Sequence, residues 1–185
     1  MKSGFIAICG RPNAGKSTLM NRLIGEKVAI VSSKPQTTRT KILGVKTGED
    51  YQLVLIDTPG IHKPHNKLSQ RMEKYIYTAT QDIDALLYVI DCNIKDEELE
   101  AEKEALTGLK TSDVPVILAI NKIDTKDRLQ LLPVIDKLQG IYDFKDIVPI
   151  SAQNDENIEE LLGRLKEVLP EGPKFWQHPK MTMYR

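Results

Sequence analysis

Cysteine, histidine and aromatic side chains are scarce in this chain. Two cysteines, Cys9 and Cys92, and three histidines among 185 residues are too few for a disulfide framework or a Cys/His zinc site. Each cysteine lies in or beside an apolar run that reads as a strand, so both are expected as buried free thiols in a reducing compartment. Net charge is missing too, because 26 basic side chains balance 26 acidic ones. That balance removes the overall positive field of a nucleic-acid binder, so an RNA contact would need a local patch. No apolar run approaches the length of a membrane span, and no signal-peptide pattern precedes Phe5. The expectation is a cytoplasmic protein, with peripheral association at the inner face of the cell membrane left open. What is present, 41% hydrophobic and 28% charged residues, fits a folded domain of ordinary size with a substantial core.

Short apolar runs alternate with helical patterns. The runs are Phe5–Cys9, Lys41–Lys46, Gln52–Ile56, Ala85–Ile90, Pro115–Ile120 and Ile147–Ile150. Helical faces are read at Leu19, Leu23 and Ile24, and at Leu68, Met72, Ile76 and Ala79. Others are Leu99, Lys103 (by its stem), Leu106 and Leu109; Leu129, Leu132, Ile135 and Leu138; and Ile158, Leu161, Leu162, Leu165, Val168 and Leu169. This alternation predicts an α/β fold, a three-layer, doubly wound sheet of about six strands. Only Thr47–Tyr51, with Gly48-Glu49-Asp50 at the turn, separates the second and third runs, so one strand should be antiparallel. The acidic run Asp96–Glu104 is expected as a solvated helix face, acidic at its first turn where the helix dipole favours it. Residues 1–169 read as the folded domain. Residues 170–185, which open with Pro-Glu-Gly-Pro and break the periodicity, read as a linker or tail.

Four motifs fall at the ends of strand runs. Gly10-Arg11-Pro12-Asn13-Ala14-Gly15-Lys16-Ser17 fits G-x-x-x-x-G-K-[ST] between a strand and an amphipathic stretch. Its glycines let the backbone curl so that amides over Asn13, Ala14, Gly15, Lys16, Ser17 and Thr18 face phosphate oxygens at a helix N-terminus. Lys16 would reach the β- and γ-phosphates, and Ser17 would hold Mg²⁺. Asp57-Thr58-Pro59-Gly60 follows the third run: Asp57 can reach Mg²⁺ through water, and the Gly60 amide can sense the γ-phosphate. Asn121-Lys122-Ile123-Asp124 ends the fifth run, and Asp124 can accept from both N1–H and the N2 amino group of guanine, which adenine cannot match. Ser151-Ala152 follows the last run. Its amides can cap guanine O6, the Ser151 hydroxyl can brace the loop, and Asn154 or Asp155 would cap the final helix.

In this order the motifs resemble the G domain of translation-factor-type GTPases. Within that class Gly25–Thr40, with Pro35-Gln36-Thr37-Thr38-Arg39, resembles the Era family of bacterial ribosome-assembly GTPases. The sister MnmE and Der families carry G-T-T-R-D and G-V-T-R-D here. Thr58-Pro59-Gly60-Ile61-His62 and Leu169-Pro170-Glu171-Gly172-Pro173 are similar to Era as well. The resemblance implies GTP and GDP binding with Mg²⁺, hydrolysis of GTP, and Thr38 on Mg²⁺ and the γ-phosphate, with Thr37 as the adjacent alternative. It also implies order–disorder cycling of two switch segments, and the small ribosomal subunit and its 16S rRNA as partners. Lys16, Thr38, Gly60 and Asn13 are the expected catalytic set.

Three departures matter. Ile61 stands where Ras-like proteins orient water with a Gln, so hydrolysis should be slow or use another group; His62 and His65 are nearby. Asn13 matches an Asn that helps bind K⁺ in related GTPases, which implies K⁺-stimulated hydrolysis. The Era family carries an RNA-binding KH domain beyond the linker, and no GXXG loop follows Pro173, so that domain is expected to be absent from this chain. The competing readings are a nucleotide-gated binding module with negligible turnover, a Der- or MnmE-type G domain, and an ATP phosphotransferase on the same loop.

Overall fold

The computed structural model describes residues 1–25, 41–57, 83–109 and 113–175. Six strands form one sheet in the order β2-β3-β1-β4-β5-β6: β1 (Lys2–Gly10), β2 (Lys41–Thr47), β3 (Tyr51–Asp57), β4 (Ala85–Asp91), β5 (Val116–Asn121) and β6 (Asp146–Pro149). All neighbours are parallel except β2 and β3, which form the expected hairpin. The β2–β3 register shifts between Ile42 and Gly44. A Cβ on Gly44 would lie 2.1 Å from Ile24 Cδ1, so a larger residue there would push the Ile24 side chain aside.

Both sheet faces are covered, which explains why the strands read as unbroken apolar runs; all six β5 positions are buried. Alternate residues point to opposite layers. Ile6, Ile8, Leu53, Leu55, Leu87 and Val89 pack with α1 (Lys16–Ile24) and α4 (Ile158–Val168) through Leu19, Leu23, Leu161 and Leu165. Ala7, Cys9, Val54, Ile56, Tyr88 and Ile90 pack on the other side with Leu106 of α2 (Asp96–Leu109) and Leu138 of α3 (Arg128–Gln139). Cys9 and Cys92 are both buried free thiols, as expected.

Two helix faces differ from expectation. On α3, Leu129 and Leu132 are 82% and 58% exposed, and the face that packs is Leu131, Val134, Ile135 and Leu138. The expected set is spaced by threes. At about 100° per residue such a series drifts by half a turn over nine residues, leaving Leu129 opposite Leu138. On α2, Lys103 is exposed and Glu102 is buried. The acidic run is therefore only partly a solvated face. Asp96, Glu97, Glu100 and Glu104 face water, while Glu98 and Glu102 turn towards the loop after β1. The helix expected around Leu68–Ala79 lies outside the described residues.

After α4 the chain turns back along β1. Ser3 N–H donates to Pro170 O (3.0 Å), Gly172 N–H to Met1 O (3.0 Å) and Ser3 Oγ to Pro173 O (2.7 Å). The Phe175 ring packs against Phe5 in a tilted arrangement, centroids 4.9 Å apart. Residues 170–175 thus lie against the start of the first strand.

Candidate nucleotide-binding site

β1, β3, β4, β5 and β6 run the same way, so Gly10, Asp57, Asp91, Asn121 and Pro149 end on one edge of the sheet. From β1 the chain moves to β3 on one side and later to β4 on the other. The crevice at such a switch point is where open α/β sheets bind ligands. The loop between β1 and α1 fills it.

The loop's curl is written in its backbone. Gly10 has φ 146° and Gly15 φ 94°, and Asn13 takes a left-handed φ of 65°, a region that Asn tolerates better than most side chains. A Cβ on Gly10 would meet Val89 O at 2.2 Å, and one on Gly15 would meet Asn121 Nδ2 at 2.2 Å. Lys16 lies over the loop, donating to Gly10 O (2.6 Å) and Arg11 O (2.7 Å). Ser17 and Thr18 are exposed on the first turn of α1. That turn carries no acidic side chain, so nothing there competes with an anion for the positive end of the helix. The Asp57 backbone sits beside the same edge, paired with Ile8. A hydroxyl and a carboxylate at these positions are hard oxygen donors of the kind Mg²⁺ takes. The Asp57 side chain, Thr38, Gly60, Ile61, His62 and His65 lie outside what the structure describes.

Asn121 joins the motifs. It is 2% exposed; its Nδ2 donates to Ala14 O (2.9 Å), and its Oδ1 accepts from Ala152 N–H (3.0 Å). One side chain therefore fixes the phosphate loop against the loop after β6. Lys122 has a left-handed φ of 67° and reaches back to Asn13 O (2.7 Å) and Asp91 Oδ2 (2.7 Å). Burial works against the charge on Asp91, yet bonds from Lys122 and from Asn93 hold its carboxyl below the usual carboxylate range. Cys92 donates to Lys122 O at 3.1 Å, and burial pushes its thiol up, so it serves as a loop fastener in its neutral form.

Asp124 stands at the rim, exposed, with its Oδ1 accepting from Ser151 Oγ (2.6 Å). Ser151 itself is fully buried and its Oγ also accepts from Asn154 N–H, so it braces the loop as the sequence predicts. Both amides expected at guanine O6 are engaged within the protein: Ser151 N–H donates to Glu156 O and Ala152 N–H to Asn121 Oδ1. The final helix is capped neither by Asn154 nor by Asp155. Asn157 is its N-cap, at φ 58°, with its side chain tied to Pro149 O.

Sequence reasoning missed Asp91 and Arg11. Asp91 fastens Lys122, and Arg11 forms ion pairs with Glu98 (2.6 Å) and Glu102 (3.2 Å). A carboxylate at the very end of an otherwise apolar strand, on the ligand edge, was the available signal for Asp91. Among the described residues no group of three or more His, Cys, Asp or Glu is placed to hold a metal, and no helix is long and apolar enough to cross a membrane.

A glycine-curled loop opening a helix at a sheet switch point, tied by a buried Asn to the loop after the last strand, defines a P-loop nucleotide-binding domain. Residues 5–122 match the family described as 50S ribosome-binding GTPase, and the chain belongs to that family. It is similar to GTPase Era of Lactobacillus delbrueckii subsp. bulgaricus, 47% identical over 182 residues covering 98% of this chain and 59% of the relative. Among solved structures it is similar to an Aquifex aeolicus Era variant bound to GDP·AlF₄⁻ (TM-score 0.74, 37% identity, 96% of this chain and 60% of that one). It is also similar to Era in complex with MgGDPNP and nucleotides 1506–1542 of 16S ribosomal RNA (TM-score 0.74, 38% identity, 96% and 60%). The chain thus spans about three-fifths of the length of these Era relatives.

Proposed function

We propose that this chain binds GTP and GDP with Mg²⁺, hydrolyses GTP, and forms the switch portion of an Era-type GTPase acting in assembly of the small ribosomal subunit in the cytoplasm. The observation that carries the nucleotide reading is the Asn121 tie between Ala14 and Ala152. It makes the phosphate loop and the guanine-reading rim parts of one rigid site. The Era relatives, one of them in a complex with 16S ribosomal RNA, support the ribosomal reading.

In this reading the protein's work is positioning and electrostatics. Lys16 exchanges the Gly10 and Arg11 carbonyls for β- and γ-phosphate oxygens. Asn13–Thr18 amides cradle the phosphates. Ser17, Thr38 and Asp57 would hold Mg²⁺, whose charge would offset that of the phosphates. The Gly60 amide reads the γ-phosphate, and Asn121, Lys122 and Asp124 with Ser151 and Ala152 form the base pocket. Competition of GTP against ATP for the purified chain tests the base assignment; equal affinity overturns it. Co-sedimentation with isolated small ribosomal subunits, with GDPNP and with GDP, tests the partner.

Hydrolysis without a catalytic Gln calls for another positive charge at the phosphates, and we assign it to K⁺ held with the help of the Asn13 side chain. The left-handed backbone at Asn13 offers a separate reason for Asn there, and one substitution separates the two. Asn13→Gly keeps that conformation and removes the side-chain oxygen. Single-turnover hydrolysis in K⁺ should run at least about tenfold faster than in Na⁺, a modest share of the roughly 10²–10³ that one well-placed stabilising group supplies. Asn13→Gly should erase the difference while GDP affinity is kept. Equal wild-type rates in the two salts would sink the assignment.

A further inference from the structure

Arg11 is one of the unspecified positions of the phosphate loop, yet the loop turns on it. Its carbonyl accepts from Lys16 Nζ (2.7 Å) and from Ala14 N–H (3.3 Å). Its guanidinium is held from behind by α2, through Glu98 (2.6 Å) and Glu102 (3.2 Å). Of the two carboxylates only Glu102 is buried, at 1% exposure against 35% for Glu98. Its second oxygen accepts from the hydroxyl of Tyr88, itself fully buried in β4 (2.5 Å).

The contacts thus run from sheet to helix to loop: Tyr88, Glu102, Arg11, then the carbonyl under Lys16. Burying a carboxylate is unfavourable unless it is paired and hydrogen-bonded, and Glu102 is both. Burial pushes its carboxyl up, against the pull of Tyr88 and Arg11. Glu98, in contrast, is held down by the Lys95 amide and by Arg11. A hydrophobic side chain would suit the apolar layer around α2, at the cost of this acceptor for Tyr88. What it would not do is fix the guanidinium that carries the loop carbonyl.

We propose that Glu102 is a positioning residue for nucleotide binding, setting the Arg11 carbonyl and through it the loop turn and the resting place of Lys16. The inference rests on the guanine-nucleotide reading above. Residues that orient a binding group from behind commonly change affinity by about 10- to 100-fold when removed.

The test uses the whole chain and a fluorescent GDP analogue, measured for dissociation rate and Kd alongside thermal melting. Glu102→Gln keeps an acceptor for Tyr88 and drops the charge; Arg11→Lys changes a side chain that is 35% exposed and is expected to fold in any case. Each should speed GDP release by about tenfold, and the double variant should be no worse than either single one, because both break the same link. Preference for guanine over adenine should be unchanged in all three. Additive effects, or a lowered melting temperature with wild-type release rates, would reduce Glu102 to packing and overturn the proposal. If the wild-type chain bound no guanine nucleotide, the functional reading itself would fall and this inference with it. Wild-type binding with unaltered release in both single variants would overturn only the inference.

Discussion

Asp124→Asn should convert the base preference from guanine to xanthine. Asp124 is exposed at the rim, and its carboxylate is oriented by the Ser151 hydroxyl at 2.6 Å. An oriented carboxylate accepts from guanine N1–H and N2–H together. In the variant the amide oxygen still accepts, but its nitrogen presents a donor. Guanine places a donor opposite it and xanthine a carbonyl. Sites that read a ligand by hydrogen bonds reject the mismatched partner by on the order of 10⁴, because a polar group is left facing one of its own kind. Displacement of a fluorescent GDP analogue by GDP, XDP and ADP measures this directly. GDP should weaken by roughly that factor and XDP should become the stronger competitor, while ADP stays excluded. The side chain lies at the surface, so the variant's melting temperature should stay near wild type. Retained guanine preference in a folded variant would remove Asp124 from base reading.

Much of the site was legible because its chemistry depends on local sequence. Gly10 and Gly15 are glycines for backbone reasons that a short motif can encode, a positive φ and no room for Cβ. The strands were legible because burial on both faces leaves apolar runs with polar ends, and those ends carry the motifs. What the sequence did not reveal depends on distant partners. Glu102 and Lys103 lie to either side of the Leu99–Leu106 line on α2. Which of them turns inward is decided by Tyr88 and Arg11, 14 residues away in one case and on a different loop in the other. On α3, evenly spaced leucines imitated a face they do not form, and exposed Leu129 and Leu132 show that an apolar side chain need not point inward. The sequence pattern alone points the Ser151 and Ala152 amides at the base. Asn121 Oδ1 and Glu156 O, which take them up in the structure, could be placed only once β5 and β6 were side by side.

Asn121→Ala should weaken both the fold and the nucleotide site, and the two losses should be separable. Asn121 sits at the end of β5, opposite Asp91 in β4, and its amide spans the phosphate loop and the loop after β6. Truncation strands the Ala14 carbonyl and the Ala152 amide, on residues 3% and 1% exposed. Each buried polar group left unpaired costs about 1–3 kcal/mol, so a loss of roughly 2–4 kcal/mol is expected, less where water enters. For a domain of this size each kcal/mol moves Tm by about 2–4 °C, which gives a drop on the order of 10 °C in the chain without nucleotide. The freed loops also lose their common frame, so GDP affinity should fall by more than about tenfold, as when a supporting shell is removed. Saturating GDP raises stability by RT ln(1 + [L]/Kd), so the gap in Tm between wild type and variant should widen, not close, at a fixed nucleotide concentration. Gly15 sharpens the test, since its missing Cβ leaves the space that Asn121 Nδ2 fills. Gly15→Ala should therefore reproduce the affinity loss, partly through this contact and partly through strain at its φ of 94°, and combining it with Asn121→Ala should cost less than the sum. If Asn121→Ala kept wild-type GDP affinity at temperatures where it is fully folded, the tie would be a matter of stability alone, and the site would owe its geometry to the loops themselves.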